Sequence, residues 1–384
     1  MPDLPNGINR YAHICGWGTA VPDTILTNSE LSRMVNTTDE WIVARTGIKQ
    51  RYIANGKETT ASLGVMAAKE ALDTANISPN DIDLIIVATS TPEHNFPSTA
   101  SLIQDALGAS KAGAFDMAAA CTGFVYALSV AAQIIQSGAM HTVLVIGSET
   151  LSKIVNWEDR STCVLFGDGA GAFVLQGSDV PGGIITSVLR SDGSGGDLLK
   201  VPAGGSAIPA SYDSLRDNLH TITMNGREVF RFATRVMADA CREVVSEAGL
   251  TMDDIDFIVP HQANVRIIEA AARNLNLPLD MFIMNMERYG NTSAASIPLA
   301  LCEAVTDNRI KPYNNLIFVA FGGGLTWGAT LVTWGVEKNS SPNHIWLKLR
   351  RQTLYRVARI RSAIRRGTRT IEGAIWGGEE IDSN

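Results

Sequence analysis

Asp81-Ile-Asp-Leu-Ile-Ile-Val87 is written a second time in this chain, as Asp254-Ile-Asp-Phe-Ile-Val-Pro260. In each copy two aspartates bracket an isoleucine and a short apolar run follows. A run of that length, bounded by polar residues, reads as a strand buried on both faces. The likeness extends upstream without a gap: Glu70, Ala75, Ile77 and Ser78 stand opposite Glu243, Ala248, Leu250 and Thr251. Each copy therefore reads as a helix, a short turn and a buried strand. At the same offset Val143-Leu-Val-Ile146 faces Leu316-Ile-Phe-Val319, a second pair of buried strands. Gly171-Ala-Phe-Val-Leu175 resembles Gly328-Ala-Thr-Leu-Val332 at a slightly shorter offset. A lone Asp-Ile-Asp recurs by chance; a matched helix with a second matched strand pair does not. The repeat is too long for a solenoid unit. It predicts two related α/β halves, each a mainly apolar sheet with covering helices. We expect the halves to span 1–180 and 181–337, with 338–384 as a basic tail.

The bulk composition agrees with such a protein. The chain has 384 residues, 45% of them hydrophobic and 18% charged, enough to bury a large core. The formal charge is −7, but residues 338–384 hold ten Lys/Arg against four Asp/Glu. The remainder is acidic, which argues against nucleic-acid binding by the main body. Five cysteines stand at 15, 121, 163, 241 and 302, with no CxxC pair. Neither a disulfide framework nor a zinc site is expected, and a reduced, cytoplasmic setting fits best. The first residues lack a basic stretch followed by an apolar one, so no signal peptide is expected. Residues 117–135 carry no charge, but their Ala, Ser, Thr and Gln content favours a helix buried in a soluble core over a membrane span.

A duplicated α/β chain often holds its site between the halves, so reactive groups at strand ends matter most. Gly113-Ala-Phe-Asp-Met-Ala118 reads as a strand and Thr122 to Ser137 as a helix closed by Gly138. Cys121 sits at that junction among Ala118, Ala119, Ala120 and Gly123. Small neighbours permit a sharp turn, and a helix N-terminus favours thiolate. Cys121 is thus a candidate nucleophile, set against the equally frequent buried, inert cysteine. In the second half, His261 follows the strand Phe257-Ile-Val-Pro260 in His261-Gln-Ala-Asn264. Asn291 lies in Tyr289-Gly-Asn-Thr-Ser-Ala-Ala-Ser296, where a turn or helix cap is the plainer reading. Gly322-Gly-Gly324 ends a strand without the Lys-Ser/Thr of a phosphate loop, and its amides suit an oxyanion hole. Gly167-Asp-Gly-Ala-Gly171 precedes a strand and reads as a tightly packed turn.

Taken in order, several stretches together resemble the β-ketoacyl-[acyl carrier protein] synthase III family of the thiolase-like superfamily. They are Thr38-Asp-Glu-Trp-Ile42, Arg45-Thr-Gly-Ile48, Ala118-Ala-Ala-Cys-Thr-Gly123, Phe166-Gly-Asp-Gly-Ala-Gly171, Pro260-His-Gln-Ala-Asn264, Gly290-Asn-Thr-Ser293 and Phe321-Gly-Gly-Gly-Leu-Thr-Trp-Gly328. The resemblance covers roughly residues 10 to 337. It implies a duplicated, five-layered αβαβα fold. It implies a catalytic triad of Cys121, His261 and Asn291, and oxyanion-hole amides on Cys121 and Gly323. Trp41, Arg160 and Asn264 fall on CoA-binding positions, Phe96 on an acyl-pocket position reached across a dimer interface, and Gln262 and Arg266 on the carrier-protein site.

The activity so implied initiates fatty acid biosynthesis by decarboxylative condensation of acetyl-CoA, or a short acyl-CoA, with malonyl-acyl carrier protein. Acyl-CoA is substrate, and neither a cofactor nor a metal is expected. Family members are typically homodimers. A specialised condensing enzyme or acyltransferase of secondary metabolism is the alternative, and a non-catalytic CoA-binding module would not be expected to keep Cys121.

Two stretches depart from a minimal member. Residues 203–220 are long and polar, either a plain surface loop or a specificity element beside the tunnel mouth. In the tail, Trp346, Leu349, Thr353, Val357, Ile360 and Ile364 fall near one helical face with arginines between them. A basic amphipathic helix suits anionic lipid or an acidic carrier protein. A solvated tail and sequence foreign to the domain are the plainer readings.

Overall fold

The computed structural model describes residues 10–335, 351–358, 360–365 and 368. Nine strands form the main sheet. They are β1 (Tyr11–Ala20), β2 (Leu84–Ala88), β3 (Gly113–Met117), β4 (Thr142–Glu149), β5 (Gly169–Ser178), β6 (Gly183–Ser191), β7 (Phe257–Pro260), β8 (Asn315–Gly322) and β9 (Thr326–Thr333). Six longer helices accompany them: α1 (Thr60–Ala75), α2 (Thr99–Leu107), α3 (Gly123–Gln136), α4 (Gly226–Glu247), α5 (Val265–Leu275) and α6 (Ser296–Thr306).

The strand order is β7-β8-β9-β6-β1-β5-β4-β2-β3. Read from its centre, each side runs through equivalent strands: β1, β5, β4, β2 on one and β6, β9, β8, β7 on the other. β2 pairs parallel to β4 as β7 pairs to β8, and β4 antiparallel to β5 as β8 to β9. The two sides meet only at Ala12 opposite Ile184, so one continuous sheet joins at a narrow seam.

The repeated aspartates do the same work twice. Asp83 N–H donates to Thr142 O at 2.9 Å, and its carboxylate accepts from Thr142 N–H. Asp256 N–H donates to Asn315 O at 3.0 Å, and its carboxylate accepts from Asn315 N–H. Each aspartate thus starts the neighbouring strand, satisfying backbone donors that would otherwise be unpaired.

Side chains alternate along a strand, so an unbroken apolar run feeds two cores. On β2, Ile85 and Val87 face an outer core with Leu63, Ala67, Ala71 and Leu72 of α1 and Ile103 of α2. Leu84 and Ile86 face the opposite way, into a middle core. On β8, Leu316 and Phe318 join that middle core, while Ile317 and Val319 face Val236, Ala240 and Val244 of α4 and Ile268 of α5. Phe124 and Leu128 of α3 and Ile297 and Leu301 of α6 fill the middle. The order is therefore helices, sheet, helices, sheet, helices: the thiolase-like five-layer arrangement. No described helix is long and apolar enough to cross a membrane.

Residues 351–358 and 360–365 are helical and meet α1, α2 and the residues that cap them. Arg351 is buried and paired with Asp73 at 2.8 Å and Asn76 at 2.9 Å, and Ser362 bonds Asp105 at 2.5 Å. The helical face expected to be apolar is not the face that docks: Val357, Ile360 and Ile364 are exposed. Trp346 and Leu349 lie outside the described residues.

Candidate active site

Cys121 sits in a short 3-10 turn, Ala120–Thr122, between β3 and α3. Ala120 has φ 46°, a left-handed conformation that alanine adopts only at a cost. The turn is held from the second half, where Thr122 Oγ1 lies 2.9 Å from Thr326 Oγ1. The end of β8 closes on it as well. A Cβ at Gly322 would stand 2.8 Å from Cys121 N and 3.2 Å from its Cβ, so only glycine fits there.

His261 follows β7, and its N–H donates to Val319 O on β8 at 2.8 Å. The ring is buried, and its Nδ1 lies 2.7 Å from Ser296 Oγ at the start of α6. Nε2 is left as the nitrogen available to a ligand. Burial pushes His261 down from 6.5 to about 3, so the imidazole is neutral at ordinary pH.

Asn291 precedes α6 and is held by its backbone between Leu165 and Gly167. Its Oδ1 accepts from Ser293 N–H at 2.9 Å, which leaves the amide NH2 free to donate. Ser293 itself has φ 48°. Gly147 on β4 lets this loop approach, since a Cβ there would lie 2.2 Å from Ala294 O.

Cys121, His261 and Asn291 line one cavity of about 90 Å³, with Phe166, Leu199, Met224, Phe230, Asn264 and Phe321 among its other walls. Cys121 also lines a second cavity of about 120 Å³. Leu151, Ile154, Phe166, Val201 and Ile222 make that second wall apolar, and Gly323 borders it. The thiol thus stands between a channel carrying the polar groups and an apolar pocket.

Burial pushes the Cys121 thiol up from 9.0 to about 12, opposed by a Ser293 hydrogen bond. The helix terminus and the Ser293 hydrogen bond favour the thiolate, while burial favours the neutral thiol. Glu149 lies behind it, fully buried, accepting from Thr91 Oγ1 at 2.7 Å and from Ser90 N–H at 3.0 Å. Burial raises its pKa, and the hydroxyls of Thr91 and Ser293 pull it back.

The other expected positions divide. Trp41 is stacked between Arg45 and Arg160, each guanidinium carbon 4.7 Å from the ring centroid. Asn264 caps α5, accepting from Arg266 N–H, and lines the channel. Arg266 is exposed beside Phe230. Phe96 is 87% exposed and lines neither cavity within one chain. Gln262 is buried, donating to Pro260 O and Ile283 O and accepting from Asn285 N–H, so its side chain braces the loop that leads to Arg266. Residues 203–220 line neither cavity; the strand residues flanking them do.

Ser293, Ser296, Glu149 and the pocket residues Leu151, Ile154 and Ile222 were not singled out from sequence. The serines stood in the quoted Asn-Thr-Ser-Ala-Ala-Ser stretch, but an isolated hydroxyl carries no periodic signal. Only the fold places it against a ring or a thiol.

The family described as 3-oxoacyl-[acyl-carrier-protein (ACP)] synthase III matches residues 115–193, and its C-terminal counterpart matches residues 245–334. The chain is 53% identical over 323 residues to a β-ketoacyl-[acyl-carrier-protein] synthase III of Caldanaerobacter subterraneus subsp. tengcongensis, covering 84% of this chain and 98% of the relative. A Roseiflexus sp. relative of the same description is 50% identical over 325 residues, 85% of this chain and 99% of its own. The crystal structure of 3-oxoacyl-[acyl-carrier-protein] synthase III from Aquifex aeolicus superposes with a TM-score of 0.78 at 48% identity, covering 84% of this chain and 99% of that one. The priming β-ketosynthase of the R1128 polyketide biosynthetic pathway superposes with a TM-score of 0.80 at 37% identity, covering 87% and 99%.

Proposed function

Because this chain belongs to the β-ketoacyl-[acyl carrier protein] synthase III family, a family of condensing acyltransferases that initiate fatty acid synthesis, we propose that Cys121, His261 and Asn291 carry its reaction, with acetyl-CoA or a short acyl-CoA as starter and malonyl-acyl carrier protein as extender. The observation that supports this most is the shared cavity: one thiol and two neutral hydrogen-bond donors, contributed by opposite halves, line it together.

In the first step the Cys121 sulfur attacks the acyl-CoA carbonyl as its proton leaves for the departing CoA sulfur. The amides of Cys121 and Gly323 receive the oxyanion. The acyl chain then occupies the second cavity. Its apolar wall of Leu151, Ile154, Val201 and Ile222 suits the chain of a short acyl group. Malonyl thioester then enters the emptied channel. His261 Nε2–H and the Asn291 amide donate to its thioester oxygen, so the electron pair released with carbon dioxide is held as an enolate. The enolate carbon attacks the acyl group on Cys121 and its carbon–sulfur bond breaks, giving acetoacetyl-acyl carrier protein from an acetyl starter and a Cys121 thiolate, which takes up a proton from solvent to restore the thiol.

Trp41 and Arg160 are the proposed CoA adenine contacts. Arg160 now stacks on Trp41, so a base entering between them displaces it. Asn264 meets the pantetheine arm along the channel, and Arg266 meets the acidic carrier protein at its mouth. The division near residue 180 follows the same scheme, the first half holding the acyl group and the second the decarboxylating donors. A homodimer completes the pocket, with the exposed Phe96 of each chain reaching its partner; β3 is the sheet's edge strand and is left open for pairing.

The test is a His261→Ala variant given acetyl-CoA and then malonyl thioester. It should still take up one acetyl group yet fail to release carbon dioxide. Loss of acetylation together with decarboxylation would contradict the division of labour.

A further inference from the structure

We propose that the C-terminal helical segments 351–358 and 360–365 form a peripheral docking surface for an anionic lipid bilayer. A helix lying on a globular domain ordinarily buries its apolar stripe and shows its polar face to water. This helix does the reverse. Its inward face is Arg351, Tyr355, Ala358 and Ser362, packed on α1 and α2. Arg351 pairs Asp73 and Asn76, Lys69 lies over the Tyr355 ring at 5.0 Å, and Ala358 meets Gly108. Its outward face is Val357, Ile360 and Ile364, exposed by 53%, 60% and 61%. Arg356 and Arg365 stand exposed on the same helix. The polar docking fixes the helix on the domain with its apolar stripe outward.

Charge selects the occupant. All ten Lys/Arg of residues 338–384 precede Glu372, while residues 1–337 carry 22 Lys/Arg against 35 Asp/Glu. The body repels an anionic surface and this segment attracts one, so contact is directed to a single face. Apolar side chains flanked by arginines are what an anionic interface accepts, each kind of contact being weak alone. The family match ends at residue 334, so the segment adds to the condensing domain rather than forming part of it.

An acidic carrier protein fits less well. The helix grips the C-terminal ends of α1 and α2, at Asp73, Asn76, Asp105 and Gly108. The N-terminal end of α1 is the end that adjoins the acyl pocket, through Thr60, Thr91 and Glu149. The 16 residues of α1 separate the two by about 24 Å. The tail helix therefore sits at the end of α1 away from the acyl pocket.

The experiment is sedimentation of the full chain with vesicles of phosphatidylcholine and phosphatidylglycerol in equal parts, beside vesicles of phosphatidylcholine alone. The chain should pellet with the first and not with the second. Ile360→Asp with Ile364→Asp should lower partition about tenfold or more, and Arg356→Gln with Arg365→Gln about fivefold for each charge removed. All variants should keep condensation activity with soluble substrates, which checks folding. Equal partition to both vesicle types, or none to either, would overturn the proposal. So would a fall in oligomeric mass, or a loss of carrier-protein binding, in the Ile360→Asp/Ile364→Asp variant, since a second copy or the carrier would then be the occupant.

Discussion

His261 Nδ1 lies 2.7 Å from the Ser296 hydroxyl, and both groups are buried. When that hydroxyl donates to Nδ1, the ring proton sits on Nε2, the form that can donate to a thioester oxygen. Ser296 is thus a positioning residue for decarboxylation. Ser296→Ala leaves a buried nitrogen unpaired and the tautomer unset. Decarboxylation of malonyl thioester should fall roughly tenfold to a hundredfold, while self-acylation by acetyl-CoA keeps its rate. Stopped assays of the two half-reactions separate these outcomes.

The same imidazole makes the fold sensitive to acid. His261 falls from 6.5 to about 3 in the native state, so between those values the unfolded chain binds the proton and the native chain does not. Its contribution is fully present above 6.5 and is lost as pH falls towards 3, an effect on the order of a few kcal/mol. Denaturant melts across that window should show stability dropping with acidification. His261→Ala should flatten the slope there.

Gly322 is where the second half touches the nucleophile. Gly322→Ala places a methyl 2.8 Å from Cys121 N, and either the turn or the strand end must move. Acylation should fall at least about a hundredfold, since misplacement by an ångström costs that much. Single-turnover acetylation is the measurement.

Ile222 borders the second cavity but not the first. Ile222→Phe should shorten the space for the acyl chain without touching the donors. Butyryl-CoA use should drop about tenfold relative to acetyl-CoA, read as the ratio of kcat/KM values.

How much of this was legible in the chain differs by residue. The duplicated Asp-Ile-Asp runs announced the two halves because the second aspartate of each has one job, to start a neighbouring strand, and an unbroken apolar run has one habitat. Cys121 and His261 were legible as strand-end groups, and Asn291 through the family resemblance. The burial of Cys121 was not, because a helix terminus can be read locally and burial by a distant part of the chain cannot. Gln262 beside His261 looked like a surface contact; only the fold shows Pro260, Ile283 and Asn285 consuming its hydrogen bonds. The tail helix was legible as an amphipath, but periodicity cannot say which face docks. The Asp73 and Asn76 pair that receives Arg351 is nearly 280 residues away in sequence.

The central claim is that Cys121 carries the acyl group between the two half-reactions. The direct measurement is mass spectrometry of the chain, intact and digested, after incubation with acetyl-CoA alone. The account predicts one acetyl group per chain, on the peptide containing Cys121, removed on adding malonyl-acyl carrier protein and absent from Cys121→Ala. Acetylation that persists in Cys121→Ala, or that resides on Cys15, Cys163, Cys241 or Cys302 and turns over with the extender, would contradict it.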